Sequence, residues 1–459
     1  MALFTRIGDW FDDRTCYRRL LRAALDEPVP GGARWSYIFG SALVILISFQ
    51  VLSGFLLSLS YSPGTDSAHA SVKFIMEETT LGWLIRSLHK HGSSFIITLL
   101  FVHCAQVFIF GAYKRPRELN WVTGIVLGLI MFTFGFTGYL LPWDQRAYWS
   151  TQVGTSIMGS GPVVGPLMQA VVQGGREIGN LTLTRFYSIH IFLLPVLGVI
   201  CLSIHLWLFR RQGVTPSAST PEGAPAETFW PKQVFRDTMG GVGIVVALFV
   251  TAILVPAQLG EPADPSVSYP ARPEWFFLFL FQLLKYFEGP YEVVGTAVLP
   301  GLLLLLILII PFLDRGPSRS LRHRKAVGVL GGSFVVGWVC LTGLAYYDDY
   351  ASGHFEELKI WEAKADPDFD TEAFYAKECR ECHGRDGAGY LDSTPDFTDG
   401  AFWGSVRSDH RLVKAILEGV PNETIPQDER MNAFGDRITP EQSKALVERK
   451  VRTFFEESE

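Results

Sequence analysis

Seven long apolar segments constrain the fold of this chain more than any other feature. A helix needs about 20 predominantly apolar residues to cross the hydrocarbon core of a bilayer, where its backbone groups must pair internally. Segments of this kind lie near residues 35–58, 84–111, 121–141, 184–209, 238–258, 294–313 and 326–346. We therefore expect an all-α membrane protein with about seven transmembrane helices.

The distribution of basic residues predicts how these helices are oriented. Lysine and arginine concentrate in the N-terminal segment and in the loops after the second, fourth and sixth apolar segments. With seven spans all four regions face the same side, and the positive-inside rule makes that side cytoplasmic. The odd number of spans then places the C-terminal tail on the external side of a bacterial inner membrane. Residues 1–25 mix charged and apolar positions and predict one amphipathic surface helix, and no basic field typical of nucleic-acid binding is present.

The tail carries the motif Cys379-x-x-Cys382-His383, which is the attachment signal of a c-type haem. Zinc is the alternative for such a cysteine pair, but it needs two further ligands at suitable spacing, and no cysteine follows. Met431 is the one methionine after the motif. Together with His383 it would complete the iron coordination of a small cytochrome c. His410 is the alternative sixth ligand.

Four histidines lie inside predicted spans, where an imidazole is costly unless it has a partner. His89 and His103 are 14 residues apart, and His190 and His205 are 15 apart. These steps correspond to about 21–22 Å along a helix and return to nearly the same face. Two non-covalent b-type haems would fit, one between His89 and His190 near the outer face and one between His103 and His205 near the inner face. Four separate, hydrogen-bonded histidines are the alternative.

Glycines repeat the spacing of the histidines. Gly40 and Gly54 are 14 residues apart on the first span, and Gly124 and Gly138 are 14 apart on the third. A flat macrocycle packed against a helix requires positions without a side chain. Ordinary small-residue helix packing is the alternative for a single pair. His91 lies on a different face from the paired histidines and is predicted to be interfacial.

The combined motifs resemble a known family. The segments GWLIRSLHKHG, ELNWVTGIVLG, GYLLPWDQ and LTLTRFYSIH resemble the cytochrome b of quinol–cytochrome c and quinol–plastocyanin oxidoreductases, and the 15-residue histidine step resembles its chloroplast-type branch. GEPADPS and PEWFF resemble the separate subunit IV of that branch. The resemblance covers roughly residues 1–346 and implies a di-haem four-helix bundle (1–215) and a three-helix subunit IV-like half (216–346). The polar tail with its haem-attachment motif separately predicts a linker (347–366) and a small all-α cytochrome c domain (367–459).

The resemblance also implies an activity. The chain would be a subunit of a proton-translocating quinol–cytochrome c oxidoreductase that oxidises quinol near the external face. One electron would cross the membrane through the two b haems, and the other would pass through a Rieske iron–sulfur partner to the covalent c haem. A soluble cytochrome or another external acceptor would take electrons from the tail, and a homodimeric complex in membrane lipid is expected.

The quinol site of the family contains a PEWY motif, which corresponds here to Pro273, Glu274, Trp275 and Phe276. Glu274 is the candidate proton acceptor, because burial beside an apolar pocket raises the pKa of a carboxyl group toward the range useful for catalysis. Phe276 lacks the hydroxyl group of the family tyrosine. Arg86, one helical turn before the first histidine, is expected to pair with a haem propionate.

One position departs from the chloroplast-type pattern on the inner side of the membrane. That branch attaches an extra haem through a cysteine on the first span, and the aligned position near Ile38 has no cysteine. We therefore expect no covalent haem at that site. The segment PWDQ at residues 142–145 is expected beside the quinol pocket.

Two other functions remain open from the sequence. The chain could be the di-haem membrane anchor of another quinone-linked dehydrogenase or reductase, which would not need PEWF after the fifth span. It could also be a transporter fused to a cytochrome sensor, which would hold no b-type haem.

Overall fold

The computed structural model describes residues 2–162, 164–221, 223–265, 267, 269–390, 394–405, 409–420 and 431–456. Across these residues the chain is mostly helical. Seven of its helices are long and apolar enough to cross a membrane, which confirms the predicted number. These spanning helices are Trp35–Ser58, Gly82–Phe110, Glu118–Tyr139, Asn180–Gln212, Lys232–Leu254, Gly289–Leu313 and Lys325–Ala351.

Two spanning helices contain one wide π turn each, and each turn ends two residues before a proline. The fourth helix has its π turn at Ile189–Leu193, ahead of Pro195. The sixth has its π turn at Val294–Val298, ahead of Pro300. Proline lacks the N–H that an α-helix needs and clashes with the preceding turn, and a wider turn relieves that clash. The first of these turns contains His190.

The N-terminal segment differs from the single helix that the sequence predicts. It forms two helices, Ala2–Thr15 and Tyr17–Leu25, which are separated at Cys16. Cys16 has a φ of 52°, a left-handed conformation that interrupts an α-helix. A short antiparallel pair of strands follows, in which Pro28–Pro30 pairs with Ala226–Thr228.

The remaining helices are short and connect or follow the spanning helices. Those before residue 352 are Ala68–Glu77, Gln145–Gly159, Gly165–Gln173, Trp275–Phe277, Leu278–Leu284 and Leu321–His323. Those after it are His354–Glu362, Thr371–Glu378, Arg380–His383, Gly400–Ser405, Asp409–Glu418, Pro440–Leu446, Val447–Val451 and Arg452–Glu456. The segment predicted as a linker therefore contains the helix His354–Glu362.

The chain divides into two units, and the first comprises Met1–Pro142, Val153–Gln258 and Trp275–Leu341. Apolar side chains of the first, second and fifth spanning helices form its main core, including Leu46, Leu88 and Leu248. Large apolar side chains such as Val199 and Leu302 are exposed along the spanning helices. This exposure is expected of helices whose outer faces contact lipid.

A buried ionic cluster joins two loops of this first unit, one after the second spanning helix and one after the sixth. Asp314 accepts hydrogen bonds from the ammonium group of Lys114 (2.7 Å) and from the hydroxyl of Tyr113 (2.6 Å). Arg324 donates to the same tyrosine hydroxyl at 2.8 Å. Burial raises the pKa of the Asp314 carboxyl group, but the hydrogen bonds from Lys114 and Tyr113 outweigh it, and the net pKa is lowered.

The second unit comprises Trp143–Gln152, Leu259–Glu274 and Thr342–Glu459. Its largest core lies in the tail and includes Tyr375, Val413, Leu446 and Phe454. The sequence predicts a helix capped by Thr439 with a proline at its first position, and the structure confirms it. Thr439 forms a reciprocal capping box with Gln442 at the start of Pro440–Leu446.

Candidate functional site

The paired histidines lie on the second and fourth spanning helices. The rings of His89 and His190 approach each other, with their centroids 6.3 Å apart and their planes inclined by 72°. His103 and His205 occupy the same two helices, further along each. The structure thus brings one imidazole from each helix together at the level of His89.

Each imidazole faces one of the four glycines on the first and third spanning helices. A side-chain carbon added to any of these glycines would lie within about van der Waals distance of a ring carbon or closer. From this added carbon to imidazole Cε1, the distance is 2.7 Å for Gly138 and His190, 2.9 Å for Gly54 and His89, 3.2 Å for Gly124 and His205, and 3.5 Å for Gly40 and His103. The glycines therefore leave graded amounts of space beside the four rings.

Three of the imidazoles are held by hydroxyl groups that the sequence analysis missed. The hydroxyl oxygens lie close to imidazole Nδ1, at 3.1 Å for Ser53 and His89, 3.0 Å for Thr123 and His205 and 3.0 Å for Thr137 and His190. Each hydroxyl donates its own proton to a backbone carbonyl one turn earlier, so Nδ1–H donates to the hydroxyl oxygen. Occupying Nδ1 fixes the ring orientation and leaves Nε2 for a metal ion. A sequence signal was available, since each of these hydroxyl residues directly precedes one of the four glycines. The fourth glycine, Gly40, is preceded by Phe39, which has no hydroxyl group.

Arg86 and His91 both bind carbonyl groups at the end of the fifth spanning helix. Arg86 donates to Ala257 O (2.8 Å) and Gln258 O (3.0 Å). His91 Nε2 lies 2.6 Å from Val255 O. The guanidinium group of Arg86 is thus paired with backbone carbonyls just beyond the C-terminus of that helix. The expected pairing of Arg86 with a haem propionate stays a prediction.

The PEWF motif is divided along the chain between Glu274 and Trp275, and its aromatic residues belong to the first unit. Trp275 donates a hydrogen bond from Nε1 to Ser94 Oγ at 3.3 Å. Phe276 is only 1% exposed and packs against Phe277. A side-chain carbon at Gly135 would lie 3.2 Å from Phe276 Cζ, so this glycine makes room for the ring. The position of the family tyrosine is therefore filled by a buried phenyl group.

Pro273 and Glu274 belong to the second unit, and both are half-buried. The segment after Pro142 packs in the same unit. Asp144 caps the helix Gln145–Gly159 by accepting from Ala147 N at 2.9 Å. Its other carboxylate oxygen accepts from Gly260 N at 3.2 Å. The carboxylate of Asp144 therefore ties the PWDQ segment to the loop that leads toward Glu274.

The tail motif forms a short helix in the second unit. Cys379 and Cys382 are not joined by a disulfide, and His383 N donates to Cys379 O at 2.9 Å. The His383 ring stacks on Phe397, with centroids 4.7 Å apart. Met431 and Cys379 both pack against the core cluster that contains Phe397. The structure thus brings the motif and the methionine to one apolar core.

Burial favours the neutral forms of Cys379, His383 and His410 by shifting the pKa of each group. It lowers the pKa of His383, an effect opposed by the backbone carbonyl of Pro395. It raises the pKa of the Cys379 thiol to about 12. His410 stacks face to face on Trp361 at 3.5 Å, and burial together with nearby lysines lowers its pKa to about 4. A neutral imidazole is the form that ligates iron.

Two family models match the chain in succession. The model described as cytochrome b/b6/petB matches residues 24–213, and the model described as cytochrome b(C-terminal)/b6/petD matches residues 262–350. Residues 351–459 lie outside both matched ranges.

Individual relatives give the same result. Cytochrome b of Rhodobacter capsulatus is 31% identical over 369 residues, which cover 74% of this chain and 84% of the relative. The cytochrome b subunit of the Chlorobaculum thiosulfatiphilum cytochrome bc complex is 33% identical over 355 residues, covering 75% and 82%. Cytochrome b6 of Synechococcus elongatus is 37% identical over 211 residues, covering 46% and 98%. A chain of the solved structure titled "Hyperthermophilic respiratory Complex III" matches with a TM-score of 0.66 and 29% identity, covering 74% of this chain and 91% of that chain.

Proposed function

The chain belongs to the cytochrome b family, and we propose that it is the quinol-oxidising subunit of a bc-type respiratory complex that carries its own c-type haem domain. The family implies b-type haems and a place in membrane electron transport. The pairing of each of these four histidines with a glycine at close range carries the proposal. Four such pairs on four spanning helices are not needed for ordinary helix packing, which requires small residues but no imidazole.

The residues present fit two b-type haems. His89 and His190 would hold one iron, and His103 and His205 the other, each through Nε2. Hydroxyl groups at three of the four Nδ1 atoms set the ring planes and favour the tautomer with a free Nε2. The glycines keep the space beside each ring clear of side chains.

The tail residues fit one covalent c-type haem. Cys379 and Cys382 would each form a thioether bond, and His383 would be one axial ligand. Met431 would be the second, because it packs on the same core as the motif. His410 remains the alternative, although its ring is stacked on Trp361.

Quinol is the proposed substrate, and its oxidation to quinone releases two protons and two electrons. Glu274 would accept one of the protons at a carboxylate oxygen, and the apolar side chains of Trp275 and Phe276 would line the pocket and exclude water. The bound haems supply one-electron chemistry, two of them for transfer across the bilayer and the third for transfer from a Rieske partner to a soluble acceptor.

The proposed organisation follows the predicted boundaries. Residues 1–215 would form the di-haem bundle, 216–346 the subunit IV-like half and 367–459 the cytochrome c domain, with 347–366 between them. The complex would be a homodimer in a bacterial inner membrane, with the N-terminus cytoplasmic and the tail external.

Steady-state quinol oxidation by the purified complex tests this function. Glu274→Gln should lower kcat by about 10²- to 10⁴-fold, because a positioned proton acceptor is lost, while the haem content stays unchanged. Glu288→Gln, at an exposed loop glutamate, is the matched control and should retain activity. A complex that binds b-type haem but fails to oxidise quinol, or that contains no Rieske protein, would instead favour a membrane anchor of another dehydrogenase.

A further inference from the structure

The loop that leads to Glu274 ends in an anchored arginine. Arg272 donates from Nε to Asp349 Oδ1 at 2.8 Å, and its Nη2 lies 2.7 Å from the same oxygen. The Asp349 side chain is only 4% exposed, and a buried carboxylate is costly unless it is paired. The carbonyl of Arg272 also accepts from Ser150 Oγ at 3.2 Å. Arg272 is therefore fixed at both its guanidinium group and its backbone.

The stiffness of the intervening chain carries this restraint to the glutamate. Arg272 and Glu274 are separated only by Pro273, so their Cα atoms lie at most about 7 Å apart. Proline fixes its own φ and excludes the helical region for the residue before it. Few backbone rotations remain between the anchor and Glu274, and a displacement of Arg272 would move the glutamate with it.

An aromatic contact holds the same loop a few residues earlier. The ring of Tyr269 packs edge-on against Trp361, with centroids 5.1 Å apart. Val267, Tyr269 and Trp361 form a small buried cluster, in which Trp361 is 4% exposed. Trp361 belongs to the helix His354–Glu362, which follows the seventh spanning helix.

Trp361 also connects this loop to the tail. Its ring stacks on His410 of the helix Asp409–Glu418, at 3.5 Å with an interplanar angle of 9°. At the start of the loop, Glu261 forms an ion pair with Lys444 of the helix Pro440–Leu446. The loop before Glu274 is thus held at its beginning by Lys444, in its middle by Trp361 and at its end by Asp349. Asp349 lies in the last turns of the seventh spanning helix, and the other two residues follow that helix.

We propose that Asp349 and Trp361 are positioning residues for quinol oxidation, and that the extension after the seventh span is part of the scaffold that holds Glu274. This inference rests on the proposed function of Glu274. Trp361 lies outside both ranges matched by the family models, which end at residue 350. The extension would then do more than tether a cytochrome domain: it would set the geometry of the proton acceptor.

Quinol oxidation by the whole complex carrying Asp349→Asn or Trp361→Ala tests the inference. We expect kcat to fall about tenfold or more, since small misplacements of a catalytic group are costly, with a smaller change in KM. The pH profile of kcat should shift, because Glu274 is proposed to take the proton. Asp349→Glu and Trp361→Phe keep the charge and the ring and should restore most of the activity. Tyr350→Ala removes an exposed neighbour (77% exposed) and should behave as wild type.

Haem content, measured for every variant, separates positioning from folding. A fall in kcat per b-type haem together with an altered pH profile supports the inference. The inference would be overturned if Asp349→Asn and Trp361→Ala kept the wild-type kcat and pH profile. It would also be overturned if activity fell only in proportion to haem content in all the variants, including Trp361→Phe. A wild-type complex that does not oxidise quinol would refute the proposed function itself.

Discussion

Replacing each of the four glycines by alanine should weaken haem binding in a graded order. Taking about 3.5 Å as normal carbon–carbon contact, the new methyl group at Gly138 would push His190 by about 0.8 Å, since the added carbon would lie 2.7 Å from the ring. At Gly54 the displacement would be about 0.6 Å, and at Gly124 about 0.3 Å. Gly40 allows a methyl group in ordinary contact at 3.5 Å.

These displacements can be compared with the tolerance of metal ligation. Ligand distances in metal sites hold to within about 0.2 Å. Overpacking of this kind costs about 1–3 kcal/mol, which corresponds to roughly a 5- to 150-fold loss of affinity. We therefore expect Gly138→Ala and Gly54→Ala to lose most of the haem beside His190 and His89, and Gly40→Ala to retain both b-type haems.

The assay is the ratio of non-covalent to covalent haem in each purified variant. The proposed covalent haem of the tail would serve as an internal standard. Gly243→Ala is the matched control, because it lies in a spanning helix with no heavy atom within 4 Å of the added carbon. Equal losses in all five variants, or a greater loss in Gly40→Ala than in Gly138→Ala, would refute the inferred contact between the glycines and the haem-binding histidines.

Three further predictions concern other sites. Asp314→Asn should destabilise the complex by about 3–5 kcal/mol, because it leaves Lys114 buried without its counter-charge. Since the folded-state pKa of Asp314 is lowered, the stability that this carboxylate contributes should be complete above about pH 5 and lost as the pH falls below about 4. Denaturant titrations at several pH values would reveal both effects. Cys382→Ser should weaken covalent haem attachment, detected by haem staining of a denaturing gel, and leave the b-type spectrum intact. Met431→Ala should lower the reduction potential of the tail haem, whereas His410→Ala should not, and redox titration of both variants distinguishes the two candidate ligands.

The spanning helices and the glycine positions could be predicted from the sequence because each follows from a repeat in one segment. Apolar runs of sufficient length predict the spans, and the 14-residue step of Gly40 and Gly54 matches that of His89 and His103. The capping box at Thr439 is local as well. Such features depend on neighbours along the chain, and a single sequence contains that information.

Contacts between distant residues could not be predicted in the same way. Nothing near Asp349 or Trp361 in the sequence indicates that these residues pair with Arg272 and Tyr269, which lie about 80 to 90 positions earlier. The break at Cys16 was also missed, because a non-glycine residue rarely adopts a left-handed conformation. For the region after residue 350, the sequence predicted the haem-attachment motif and the helix cap, but its contacts with the loop before Glu274 emerged from tertiary packing alone.

Haem stoichiometry tests the central claim most directly. Acid-acetone extraction of the purified chain, followed by pyridine haemochrome spectra of the extract and the residue, counts the non-covalent and covalent haems separately. Two extractable b-type haems and one retained c-type haem per chain are predicted. Iron present only in the covalently attached form would contradict the assignment of His89, His103, His190 and His205 as haem ligands.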